Sequence, residues 1–187
     1  MIRLFLDANV LFTAAHNPSG KAALIIDLGL QGNWEIVSNS YAIEEARRNI
    51  SIKFPDCLER FETLISAILK VPTGSGLSCP VSLPEKDRPI LEAATHCKAT
   101  HLLTGDRKPP TRHARARDGA SRKGNFVHIV PLNPAYEAGL AGHVPAKDFG
   151  PFMNHPRLTG GVVIQTVSEC FDSFLKPKRK KGIRGKK

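Results

Sequence analysis

Short apolar runs that stop at a polar or acidic residue, each followed by apolar positions at helical spacing, recur along this chain and leave it few folds to adopt. Residues 3–6 run into Asp7, and a helical pattern begins near Asn9. A second helix fits residues 21–30. Residues 34–37 read as the next strand, closed by Ser38 and Ser40, both good helix N-caps, with a helix over 41–50 after them. The stripe Leu58, Phe61, Leu64, Ile65 and Ile68 predicts an amphipathic helix. Residues 71–83, rich in Gly, Ser and Pro, read as a connection. Beyond Pro84, Ile90, Leu91, Ala94 and Cys97 share one helical face, and Pro89 is tolerated in its first turn. Residues 101–104 then form a buried strand ending at Gly105 and Asp106, and 162–165 and 167–175 predict a last strand and a last helix. Such alternation implies a parallel sheet covered on both faces, a three-layer α/β/α sandwich.

The pattern breaks once. Residues 109–147 hold five prolines and little helical periodicity, although 126–132 could compete as the final strand. The expectation is one domain over residues 1–175 with an insertion at 109–147, followed by a disordered basic tail at 176–187. Charge supports this division. The chain carries +10, from 27 Lys and Arg against 17 Asp and Glu, and eight of the positives lie in 176–187 without one acid. Such a tail, with Lys178, Arg179, Lys180 and Lys181 at its centre, suits RNA phosphate or serves only solubility. No run of 18 apolar residues exists, and Asp7 interrupts any leader-like segment, so no membrane span is expected and a cytoplasmic location is. Four separated cysteines read as reduced, mostly core residues. Trp34 reads as a packing residue, and the PSGK run before Ala22 lacks the first glycine of a nucleotide-binding loop.

In a parallel sheet the carboxyl ends of the strands and the amino ends of the following helices share one edge. Asp7 and Asp106 end strands, Glu45 lies early in a helix after one, and Asp87 opens the helix leading to residues 101–104. Four carboxylates on one rim repel unless a cation relieves them. Mg²⁺ or Mn²⁺ suits an all-oxygen site, and phosphodiester hydrolysis is the natural chemistry.

The segments LFLDANVLFTAA, YAIEEARRNI, KDRPILEAA and HLLTGD, in that order, together resemble the PIN-domain family of metal-dependent ribonucleases. The resemblance implies a five-stranded parallel sheet, Mg²⁺ or Mn²⁺, an RNA substrate and, in the VapC-like toxin branch, an antitoxin partner and a homodimer. It makes Asp7, Glu45, Asp87 and Asp106 the catalytic set, with Glu44 an open alternative to Glu45. Asp7, Asp87 and Asp106 would hold metal, with Asn9 and Thr104 in support. Asp148 joins the metal ligands on condition that 109–147 is an insertion, which would bring the DFGPF segment after TGDRK. Arg47 and Arg48 are read as a solvated face or as partners for nearby acids, with RNA phosphate the lesser reading. Two rivals stand beside an endoribonuclease. One is a non-catalytic RNA-binding protein on the same fold. The other is a receiver-like domain, which needs two adjacent acids at the first strand and a late lysine.

Overall fold

The computed structural model describes residues 1–73, 79–105 and 149–175. Five parallel strands, β1 (Arg3–Leu6), β2 (Glu35–Asn39), β3 (Leu69–Val71), β4 (His101–Thr104) and β5 (Val163–Thr166), form one sheet in the order β3-β2-β1-β4-β5. Between β1 and β2 come α1 (Ala8–His16) and α2 (Lys21–Leu30); between β2 and β3, α3 (Ser40–Lys53), a 3₁₀ turn at Pro55–Cys57 and α4 (Leu58–Ser66). Helix α5 (Arg88–His96) precedes β4, a 3₁₀ turn spans Gly150–Phe152, and α6 (Val167–Leu175) follows β5.

Alternation along each strand divides the core. Leu4, Leu6, Ile36 and Leu103 join the buried faces of α1, α2, α3 and α4 with Cys170 of α6. Phe5, Val37, Leu102 and Ile164 face the other way, onto α5, Leu83, Phe149, Phe152 and Met153. A strand buried on both faces must be apolar at successive positions, which is why Leu4, Phe5 and Leu6 in β1 and Leu102 and Leu103 in β4 are consecutive apolar residues. The expected α/β/α sandwich is therefore the observed one. Its last strand is β5, paired with β4 from His101↔Val163 to Thr104↔Thr166; residues 126–132 lie outside the described residues.

Three details differ from the sequence reading. Strand β3 falls where a helix end and a connection were expected. It has only three residues, at the sheet edge, with Leu69 half-exposed, so it carries no burial pattern to read. Helix α4 stops at Ser66 and leaves Ile68 buried outside it. The N-cap of α3 is Asn39, neither Ser38 nor Ser40: the Ser38 hydroxyl donates to the Leu6 carbonyl at 2.8 Å, and Ser40 is already helical. Of the four cysteines, all free, only Cys170 is buried, its thiol pushed up to about 12 by burial; the others are half-buried. Trp34 packs as expected, its Nε1 donating to the Ile25 carbonyl at 3.0 Å.

Gly29 marks the closest approach of α2 to the sheet. A Cβ there would stand 2.4 Å from Cγ1 of buried Ile36 and 2.8 Å from its Cδ1. Gly29→Ala should therefore destabilise the domain by about 1–3 kcal/mol, although alanine is the better helix former by roughly 0.5–1 kcal/mol. Urea titration of both proteins checks it, and a higher midpoint for the alanine variant would show that Ile36 yields.

Candidate active site

Asp7 follows β1 directly and is the N-cap of α1, where its backbone is extended and its Oδ1 accepts from the Ala8 amide at 2.6 Å. Its Oδ2 accepts from the Thr104 hydroxyl at 2.8 Å and from Asn9 Nδ2 at 3.1 Å. The Asp7 amide donates to the Leu103 carbonyl at 3.0 Å, so the end of β1 is fixed to the end of β4 through both backbone and side chain. Asn9 Oδ1 accepts from the Gly105 amide at 2.7 Å, tying α1 to the chain leaving β4. A Cβ on Gly105 would stand 3.1 Å from that oxygen, so a bare backbone suits this contact. Every one of these donors is neutral. Asp7, 4% exposed, is thus held in orientation by three neutral hydrogen-bond donors.

Asp87, 6% exposed, is the N-cap of α5, with Pro89 in the first turn, and the Lys86 ammonium stands 4.0 Å from its Oδ1. What sets α5 against α3 is Asn39. Its Oδ1 accepts from the Ala42 amide at 2.9 Å as the cap of α3, while its Nδ2 donates to the Pro89 carbonyl at 3.1 Å. One buried amide therefore holds the starts of both acid-bearing helices. Asn39→Ala should cost about 1–3 kcal/mol from the lost cap and the deprived carbonyl. Chemical denaturation reads this directly, and an unchanged unfolding free energy would deny Asn39 that role.

Asp7, Glu45 and Asp87 line one open cleft of about 290 Å³, together with Asn9, Phe12, Asn49, Lys53 and Lys86. Glu44 is turned elsewhere: it pairs with Arg47, which also bonds Glu62 at 2.6 Å, and this pairing raises the Arg47 guanidinium pKa. Arg47 thus takes the solvated, acid-paired reading, and Arg48 is exposed. Asp106 and Asp148, and with them Lys178, Arg179, Lys180 and Lys181, lie outside the described residues.

Sequence reasoning missed Asn49, Lys53 and Lys86. The signal was present, since Glu45, Asn49 and Lys53 recur every fourth residue and so share one face of α3. A second cleft of about 520 Å³ lies on the other side of Asn9, lined by Thr13, Asn17, Lys21, Thr104 and Ser168.

The cleft's donors suit a hard divalent cation: three carboxylates and two amides, with neither histidine nor cysteine in the lining. Among the described residues no three acidic, His or Cys side chains stand close enough to hold one ion together. No described helix is long and apolar enough to cross a membrane.

A parallel sheet whose strand ends gather carboxylates into an open cleft defines an acid-lined α/β domain. The sequence model of the PIN domain matches residues 3–108, more than half of the chain, so this protein belongs to the PIN domain family. Among solved structures, the chain is similar to one chain of the crystal structure of VapBC2 from Rickettsia felis bound to a DNA fragment from their promoter. The identity is 16%, with 55% of this chain and 87% of that chain covered, at a TM-score of 0.44. Among curated protein sequences none matches.

Proposed function

We propose that this PIN domain is a Mg²⁺- or Mn²⁺-dependent endoribonuclease that hydrolyses RNA phosphodiester bonds, and that it is the toxin of a toxin–antitoxin pair. The observation that carries the nuclease reading is the meeting of Asp7, Glu45 and Asp87 in one cleft, in a family whose members are generally nucleases. Asp7 and Asp87, with Asp106, would hold the metal, and Asp148 would join them if residues 109–147 are an insertion. Asn9 and Thr104 keep the Asp7 carboxylate oriented by donating to it. Glu45, which lines the cleft from α3, would bind the metal or accept the proton of the attacking water. When bound, the metal lowers the pKa of that water and stabilises charge on the leaving oxygen. The basic tail holds the RNA strand. A homodimer, an antitoxin and a cytoplasmic location complete the toxin reading, which rests on family resemblance.

The deciding experiment is RNA cleavage by purified protein in Mn²⁺ and in chelator. Metal-dependent cut ends support the nuclease. Binding without cleavage in any divalent metal would replace it with the non-catalytic RNA-binding reading. Growth arrest on induction, relieved by coexpressing a neighbouring short reading frame, tests the toxin assignment.

A further inference from the structure

Beside the acid cleft lie rings that the chemistry above does not use. Phe12 and His16 stand one turn apart on α1, and Phe54 is the C-cap of α3. The His16 and Phe54 rings are stacked, with centroids 3.7 Å apart and 28° between their planes, and Phe12 leans on Phe54 at 5.7 Å. Phe12 lines the cleft with Asn49 and Lys53, and the Lys53 ammonium lies 5.7 Å from the Phe12 ring centroid.

Packing accounts for Phe12, which adds to the larger apolar core. It accounts poorly for the other two rings. His16 is exposed, Phe54 is half-buried, and neither belongs to a core cluster among the described residues. The stack therefore reaches the surface next to Phe12, the ring that lines the cleft. Glu45, Asn49 and Lys53 mark successive turns along one face of α3 and so lead from the acids to these rings. A cationic side chain between aromatic faces and a phosphate-processing site is the arrangement by which proteins hold unpaired nucleotides: bases stack on the rings while the cation follows the backbone. A protein partner's apolar surface would gain less here, because Lys53 and the cleft edge would have to be desolvated with it.

We propose that Phe12, His16 and Phe54 form a stacking platform for one unpaired nucleobase of single-stranded RNA, beside the phosphodiester held at the acids, with Lys53 on the intervening phosphate. This deepens, and rests on, the reading of the cleft as an RNA-cleaving site. It adds that the substrate must present an unstacked nucleotide there.

The test is equilibrium binding in chelator of two probes of equal length, a random-sequence single-stranded RNA and an abasic ribose-phosphate chain. Wild-type protein should prefer the intact RNA by about tenfold, within the range of a single stacked base. The double variant His16→Ala with Phe54→Leu should lose that preference and bind the abasic chain as before. Lys53→Gln should weaken both probes alike and reduce the salt slope by about 0.7. If circular dichroism shows the double variant unfolded, exposed His16→Ala alone is the reporter, and its preference should fall. A wild-type protein without preference, or a folded variant that retains it, overturns the proposal. So does a variant whose sedimentation changes while its preference stays, which would assign the rings to an interface between copies. Cleavage in Mn²⁺ is scored separately. Failure to cleave with an intact base preference sinks the nuclease and leaves the platform, whereas cleavage with unaltered preference in the variants sinks the platform alone.

Discussion

If the proposed metal site is right, Asp7→Asn is expected to slow RNA cleavage at least about a hundredfold, roughly 3 kcal/mol of barrier, by removing a charged ligand. Its effect on stability follows from the three donors around the carboxylate. An amide offers only one oxygen where Asp7 offers two, and its NH₂ group would face either the Ala8 amide or the Asn9 amide and Thr104 hydroxyl. The hydroxyl can turn to accept. Asn9 cannot exchange its ends freely, because its Oδ1 already takes the Gly105 amide. Like charge on the rim, considered alone, would make the neutral variant the more stable one. The lysines of the cleft temper that repulsion, and the mismatched donors oppose any gain, so a net loss of about 1–3 kcal/mol is expected. Cleavage rate and melting temperature, measured on the same purified variant, separate the two effects. Full activity in a folded Asp7→Asn protein would refute the metal-site assignment.

Removal of residues 176–187 should alter RNA binding more than any single substitution outside the cleft. The segment carries eight of the 27 Lys and Arg. Each single-strand phosphate neutralised contributes about −0.7 to the slope of log affinity against log salt, so engagement of half of them flattens the slope by roughly 3 on truncation. Chemistry at saturating RNA should survive, since the acids that line the cleft, Asp7, Glu45 and Asp87, lie far from the segment in sequence. A salt titration that superimposes for the two proteins would make the tail a solubiliser.

The sequence was most legible where one physical rule dominates. Helices α2 and α6 and strand β4 have the bounds that apolar periodicity assigns them, because each is long enough or buried enough to show its period. Strand β3 was not legible, because an exposed three-residue edge strand forms by pairing with β2 and carries little pattern of its own. Asn39 was hidden between two serines that cap helices equally well in general. What singles it out is the Pro89 carbonyl, fifty residues away and invisible to any local rule. Asp7, Glu45 and Asp87 were legible from strand ends and helix starts, and their joint cleft follows from the sheet order. Lys53 and Lys86 were not sought, because an argument from acids alone looks for a metal and overlooks counter-charges the chain already supplies.

The pairing of β4 with β5 has a practical corollary. The two strands meet in register over four residue pairs, and the segment entering β5 is pinned by buried Phe149 and Phe152 and by the bridge of Met153 to Ile164. Both banks of the interval 106–148 thus have anchoring contacts of their own among the described residues, and loop-closure entropy grows by only about 0.6 kcal/mol per doubling of length. If residues 109–147 are the insertion the sequence suggests, the interval is a cargo port of the domain. A reporter domain spliced within 109–147 should dock there with a shift of only a few degrees in melting temperature, leaving Asp7 and Asp87 where they are.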